Sequence, residues 1–133
     1  MSRRFVSALL ASAAVAAVSI GAPAAAPAAK TAAVPASVAL ATPDPHLGGS
    51  VSFRYVVNAR DPRIAVRCYQ NGVMGYAEAG TADHVFQLGG AGSDWLRAGG
   101  AAHCTVQLFS IESRPNQPQK VTTYAWTEFD AAG

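Results

Sequence analysis

The 133 residues predict an all-β fold, a single two-sheet sandwich of about seven short strands closed by one disulfide. Three observations point there. Apolar and polar residues alternate with a period of two in several short runs, and Asn71-Gly72 sits between two of those runs. Cys68 and Cys104, the only cysteines, both fall on the apolar side of theirs. No repeat, heptad or helical stripe of useful length competes with this pattern.

At the start, Arg3 and Arg4 precede an uncharged Ala/Val/Leu-rich run from Phe5 to Ile20, the charged and apolar regions of a signal peptide. The run falls short of the roughly 20 apolar residues that span a bilayer and meets Gly21, Pro23 and Pro27. Ala22-Pro23-Ala24 and Ala26-Pro27-Ala28 offer the small residues a signal peptidase reads, so residues 1–28 are expected to be the leader. An uncleaved anchor is the duller alternative, and the paired arginines also fit twin-arginine export. Nothing after Ala29 is long and apolar enough to hold the product in a membrane, so a secreted, extracellular protein without stable membrane insertion is expected.

Removing the leader takes away Arg3 and Arg4 and no acid, which leaves eight basic and eight acidic residues. A chain with no net charge has no general field to draw in nucleic acid or anionic membrane, and both count as excluded partners.

Residues 29–46 are rich in Ala and Pro, with Pro35, Pro43 and Pro45 blocking any helix, and read as a linker to which Ser37–Ala41 could add a first strand. The domain proper is expected over 47–133. Val51, Phe53, Tyr55 and Val57 alternate with Ser52 and Arg54, and Ile64, Val66 and Cys68 with Ala65, Arg67 and Tyr69. Asn71-Gly72 then predicts a tight hairpin into Val73–Tyr76, because both turn residues tolerate positive φ. His84–Leu88 is a further short strand closed by Gly89-Gly90, and His103–Ile111 another, with Cys104, Val106 and Leu108 on one face. Arg114-Pro115-Asn116-Gln117-Pro118 must be a loop, and Val121–Phe129, rich in Thr, Tyr and Trp, is the last strand. Since both cysteines face inward by alternation, a core disulfide is the economical reading; a redox pair would need Cys-x-x-Cys spacing.

Gly48-Gly49-Ser50-Val51-Ser52-Phe53, Ile64 to Gly72 and Gly99 to Leu108 resemble the second, third and sixth strands of immunoglobulin-like domains found in small secreted proteins of the actinobacterial type or of phage. The resemblance implies an immunoglobulin-like sandwich. In antibody-type domains the disulfide joins the second and sixth strands, and a tryptophan on the third packs over it. Here Cys68 stands where that tryptophan would be, Ala102 stands in place of the tyrosine two residues before the second cysteine, and the implied bridge links the third and sixth strands. Trp95 is placed to supply the aromatic bulk from elsewhere.

Catalysis needs a nucleophile, a base and an orienter, or a metal with several ligands. His46, His84 and His103 lie on three separate segments, and Asp83-His84 are adjacent strand residues that point to opposite faces. No catalytic set, metal site or cofactor site is assigned, and the Gly-Gly steps at 48, 89 and 99 lack phosphate-loop spacing. Arg60, Arg63 and Arg67 form the basic cluster, read as a solvated edge or as an anion or glycan contact.

A two-residue turn at Asn71-Gly72 sets Tyr69 opposite Met74, Cys68 opposite Gly75 and Arg67 opposite Tyr76. The side away from the disulfide then shows Arg67, Tyr69, Met74 and Tyr76, joined by Thr105, Gln107 and Phe109 from the sixth strand, with Tyr124 and Trp126 beside them if the last strand pairs there. Aromatic, Met and Arg residues on a solvent face suit contact with a protein or a cell-surface glycan. The rival reading is that the Ala/Pro segment or a second copy, making a homodimer, covers this face. The expected function is a non-catalytic binding or structural module. The alternatives are a secreted protease inhibitor presenting the proline-braced loop 113–119, or a small hydrolase without a recognisable motif.

Overall fold

A computed structural model describes residues 34–90, 92–95 and 99–133; the expected leader and the first part of the linker lie outside the described residues. Eight strands follow in order: β1 (Ser37–Leu40), β2 (Ser50–Val51), β3 (Phe53–Val56), β4 (Arg63–Gln70), β5 (Val73–Thr81), β6 (Phe86–Gln87), β7 (Ala102–Glu112) and β8 (Lys120–Ala131). No α-helix occurs among the described residues, and so no helix there is long and apolar enough to cross a membrane.

One layer is a four-stranded antiparallel sheet in the order β5-β4-β7-β8, and the other consists of two antiparallel pairs, β1-β3 and β2-β6. Alternation decides what lies between them. Ile64, Val66, Val106 and Leu108 from the large sheet and Val51, Phe53 and Phe86 from the small pairs form one buried cluster. Phe53 touches Phe86 edge-on at 5.8 Å between ring centres and reaches Phe129 of β8 at 6.0 Å. Trp95 joins the same cluster at 5% exposure.

β4 and β7 are neighbours, Cys68 stands opposite Cys104, and the two are bonded and fully buried. The hairpin turn is also as the sequence predicts, with Asn71 and Gly72 at φ of 49° and 79°.

Three boundaries differ from the sequence reading. The run Val51–Val57 is not one strand: β2 pairs with β6 and β3 with β1. Between them Ser52 donates its N–H to Thr42 Oγ1 at 2.9 Å and accepts the N–H of Ala41 at 2.9 Å, so this polar residue is the point where the chain changes partners. The strand expected over His84–Leu88 shrinks to Phe86–Gln87, because His84 closes a turn by donating its N–H to the Thr81 carbonyl. The sandwich also begins at Ser37 rather than Leu47. β1 fits between the prolines and buries Val38, while Pro45 and Leu47 hydrogen-bond to Ala132 on either side of a parallel bridge from His46.

Candidate functional site

The outer face of the four-stranded sheet can be read in rows across β5, β4, β7 and β8. Met74, Tyr69, His103 and Asp130 form one; Ala77, Arg67, Thr105 and Glu128 the next; then Ala79, Ala65, Gln107 and Trp126; then Thr81, Arg63, Phe109 and Thr123. Strand alternation points all of these away from the disulfide.

Arg67, Tyr69, Met74 and Gln107 stand on this face. Met74 is 49% exposed, and the other three are half-buried. Arg67 Nη1 donates to Gln107 Oε1 at 3.4 Å, and Gln107 Nε2 donates to Thr123 Oγ1 at 2.6 Å, which makes a polar rung across β4, β7 and β8. Trp126, one strand beyond Gln107, exposes 59% of its surface. It is the largest side chain the face offers to solvent.

Tyr76 is not there. A bulge between Cys68 and Tyr69 makes Gly75 an extra residue on β5, so Tyr76 pairs with Cys68 instead of Arg67 and turns into the core at 7% exposure. A one-residue insertion sends every later side chain to the other face. The insertion is held in place because Gly75 packs on the backbone of Trp95: a Cβ there would lie 3.1 Å from Trp95 Cα. Phe109 keeps its place in the outer row but is 8% exposed, so it underlies the face rather than presenting itself. A second bulge, between Leu108 and Phe109 in the β7–β8 pairing, leaves Tyr124 as the extra residue. Its hydroxyl meets that of buried Ser110 at 2.9 Å, which draws the ring toward the interior.

Sequence reasoning missed the acidic top of the face. His103 Nδ1 lies 2.9 Å from Asp130 and Nε2 lies 3.6 Å from Glu128. The hydrogen bond to Asp130 and both carboxylate charges raise the imidazole pKa above its ordinary value. Counting in twos from Trp126 along β8 and back from Thr105 along β7 would have found all three.

A second polar cluster lies at the edge of β5. The hydroxyl of Tyr76 donates to Glu78 Oε2 at 2.5 Å, and His84 Nε2 lies 2.7 Å from Glu78 Oε1, with the His84 ring edge-on to Phe86 at 4.8 Å. Burial pushes the Glu78 carboxyl upward, but the hydrogen bonds from Tyr76 and His84 outweigh it and hold the pKa below its usual value. Burial and the same carboxylate push the Tyr76 phenol up. Asp83 is turned away and accepts the hydroxyl of Tyr55 at 3.0 Å. Nearby Ser93 is engaged with backbone, donating to Gly75 O at 2.7 Å and accepting the N–H of Trp95 at 3.1 Å. The cluster therefore closes on itself and ties β5 to the turn that precedes β6.

The loop 113–119 is exposed throughout, with Arg114 reaching Glu112 at 3.3 Å. No group of three or more His, Cys, Asp or Glu among the described residues could hold a metal ion. Comparison with family models, curated proteins and solved structures finds no match to this chain.

Proposed function

We propose that this chain is an exported immunoglobulin-like sandwich that works by contact rather than catalysis, through the outer face of β5-β4-β7-β8. The observation that carries the reading is Trp126. An indole 59% exposed on a regular sheet costs hydrophobic free energy unless something covers it. It sits beside the rung Arg67–Gln107–Thr123, whose donors and acceptors are already fixed in direction. A large flat apolar group next to ordered polar groups is the composition of a contact centre, in which aromatic area supplies affinity and the guanidinium sets orientation. The buried disulfide accords with an oxidising, extracellular setting.

The partner is a protein or a surface glycan. Immobilised wild-type protein and a Tyr69→Ala/Trp126→Ala variant should be compared for what they retain from extracts of the source cells' surface. Retention by the wild type that the variant loses, with the fold of both intact, supports the reading; equal retention removes the face from consideration.

A further inference from the structure

We propose that the occupant of the outer face is a second copy of this chain, packed face to face about a two-fold axis running along β7. The proposal rests on that face being the contact surface, and it adds the identity of the partner. The sheet order places β4 and β8 on either side of β7, so a rotation about β7 lays β8 of one copy over β4 of the other. Residues of one row exchange places. Glu128 comes over Arg67 of the other copy, and Trp126 comes over Ala65.

Both exchanges are complementary. Among the described residues Arg67 has no carboxylate within ion-pair distance, its contact being the amide of Gln107. Among the described residues Glu128 meets one basic group, His103, at 3.6 Å. The two-fold brings these charges together twice. Around Ala65, 5% exposed, the alanines 77 and 79 and the stem of Arg67 leave a hollow of about 160 Å³, while Trp126 stands proud. A projecting indole and a recess of small residues in the same row become a knob and a hole once the copies face each other. An axis between β4 and β7 would lay the indole over Ala79 of the same recess, but it sets Arg67 over Thr105, Glu128 over Ala77 and Met74 over Asp130, which pairs no charges. Charge therefore selects the β7 axis.

On this axis β4, β7 and β8 overlap and β5 overhangs, so strand spacing and residue rise put the shared face at roughly 400 Å² per copy, below the usual size for stable association. A weak, concentration-dependent dimer is expected. Sedimentation of the protein from roughly 1 to 500 µM should show monomer passing to dimer. Trp126→Ala should weaken association by about tenfold or more. Glu128→Arg and Arg67→Glu should each weaken it by about tenfold, and the combined charge swap R67E/E128R should restore it to within about threefold of wild type. Ala79→Trp, which fills the recess and leaves both Trp126 and the charges in place, should give monomer. Unfolding temperature and absence of free thiol verify the fold of each variant, and Ala79→Trp, at an exposed position, stands in should a charge variant fail that check.

Monomer at every concentration overturns the second copy, as does a dimer indifferent to Trp126→Ala and Ala79→Trp, or a charge swap that fails to restore. If the protein is monomeric yet loses a retained surface component on Trp126→Ala, the contact face stands and its occupant is another molecule; if it is monomeric and loses nothing, both fail.

Discussion

Cys68 and Cys104 are direct cross-strand neighbours, facing each other from β4 and β7 with Cα atoms 4.0 Å apart and neither exposed to solvent. The bond closes a separation of 36 residues that includes the hairpin, β6 and the approach to β7. Chain entropy alone assigns such a loop about 4 kcal/mol, a large share of the roughly 5–15 kcal/mol that holds a domain folded. Cys68→Ala/Cys104→Ala is therefore expected to lower the unfolding temperature by roughly 20 °C, and reduction of the wild type to do the same. Thermal unfolding followed by circular dichroism checks this. A fall of only about 3 °C would place the stability elsewhere.

The strands, the tight turn and the inward cysteines were legible because each rests on a local rule: alternation at Ile64, Val66 and Cys68, or positive φ at Asn71 and Gly72. The outer face was legible only in part, because its composition depends on two bulges. Nothing near Tyr76 distinguishes a glycine that simply pairs from one that is inserted. The difference is made by the backbone of Trp95, about twenty residues away in sequence, resting on Gly75. Tyr124 was hidden in the same way, since its inward turn requires a hydroxyl partner on β7. The division of Val51–Val57 between two pairings likewise depends on Thr42, in a segment that composition alone marks as linker.

Gly75 and Gly72 should both resist substitution, for different reasons. At Gly75 a methyl group would meet Trp95 backbone atoms at 3.1 and 3.2 Å, which cannot move aside as a flexible side chain would. Gly75→Ala is expected to cost about 1–3 kcal/mol through overpacking. At Gly72 nothing lies within 4 Å, but φ is +79°, so Gly72→Ala is expected to cost about 1 kcal/mol by conformation alone. Denaturant midpoints measure both. Equal and negligible effects would contradict the bulge as the device that fixes the register of β5.

Ser110 and Tyr124 share a hydrogen bond between their hydroxyls, 2.9 Å apart, with Ser110 only 4% exposed and Tyr124 half-buried. Tyr124→Phe leaves the Ser110 hydroxyl without its partner and is expected to cost about 1–2 kcal/mol. Ser110→Ala should cost less, because half-buried Tyr124 can turn to water. The double variant should be close to Ser110→Ala, giving a coupling of about 1 kcal/mol in a double-mutant cycle. Additive single effects would show that the two groups do not share a bond in solution.

The two polar clusters should load the stability curve from opposite sides of neutrality. Glu78 is pushed up by burial and pulled further down by Tyr76 and His84, so its folded pKa lies below the ordinary 4.5. A depressed acid contributes stability that is present above the unfolded pKa and is lost as pH falls through the folded one. The loss therefore belongs below 4.5, and Glu78→Gln should flatten that limb while leaving the neutral region level. For His103 the direction is reversed. Asp130 and Glu128 raise its pKa above 6.5, so its contribution is complete below 6.5 and disappears as pH rises through the folded value. Because the ring is exposed at the surface, salt should screen this effect, whereas the acid limb set by partly buried Glu78 should respond less. Unfolding temperatures of wild type, Glu78→Gln and Asp130→Asn between roughly pH 3 and 9, at low and high salt, test both signs. An acid limb unchanged by Glu78→Gln would mean that the bonds from Tyr76 and His84 do not hold that carboxylate, and an alkaline drift that survives Asp130→Asn would mean that His103 is not its source.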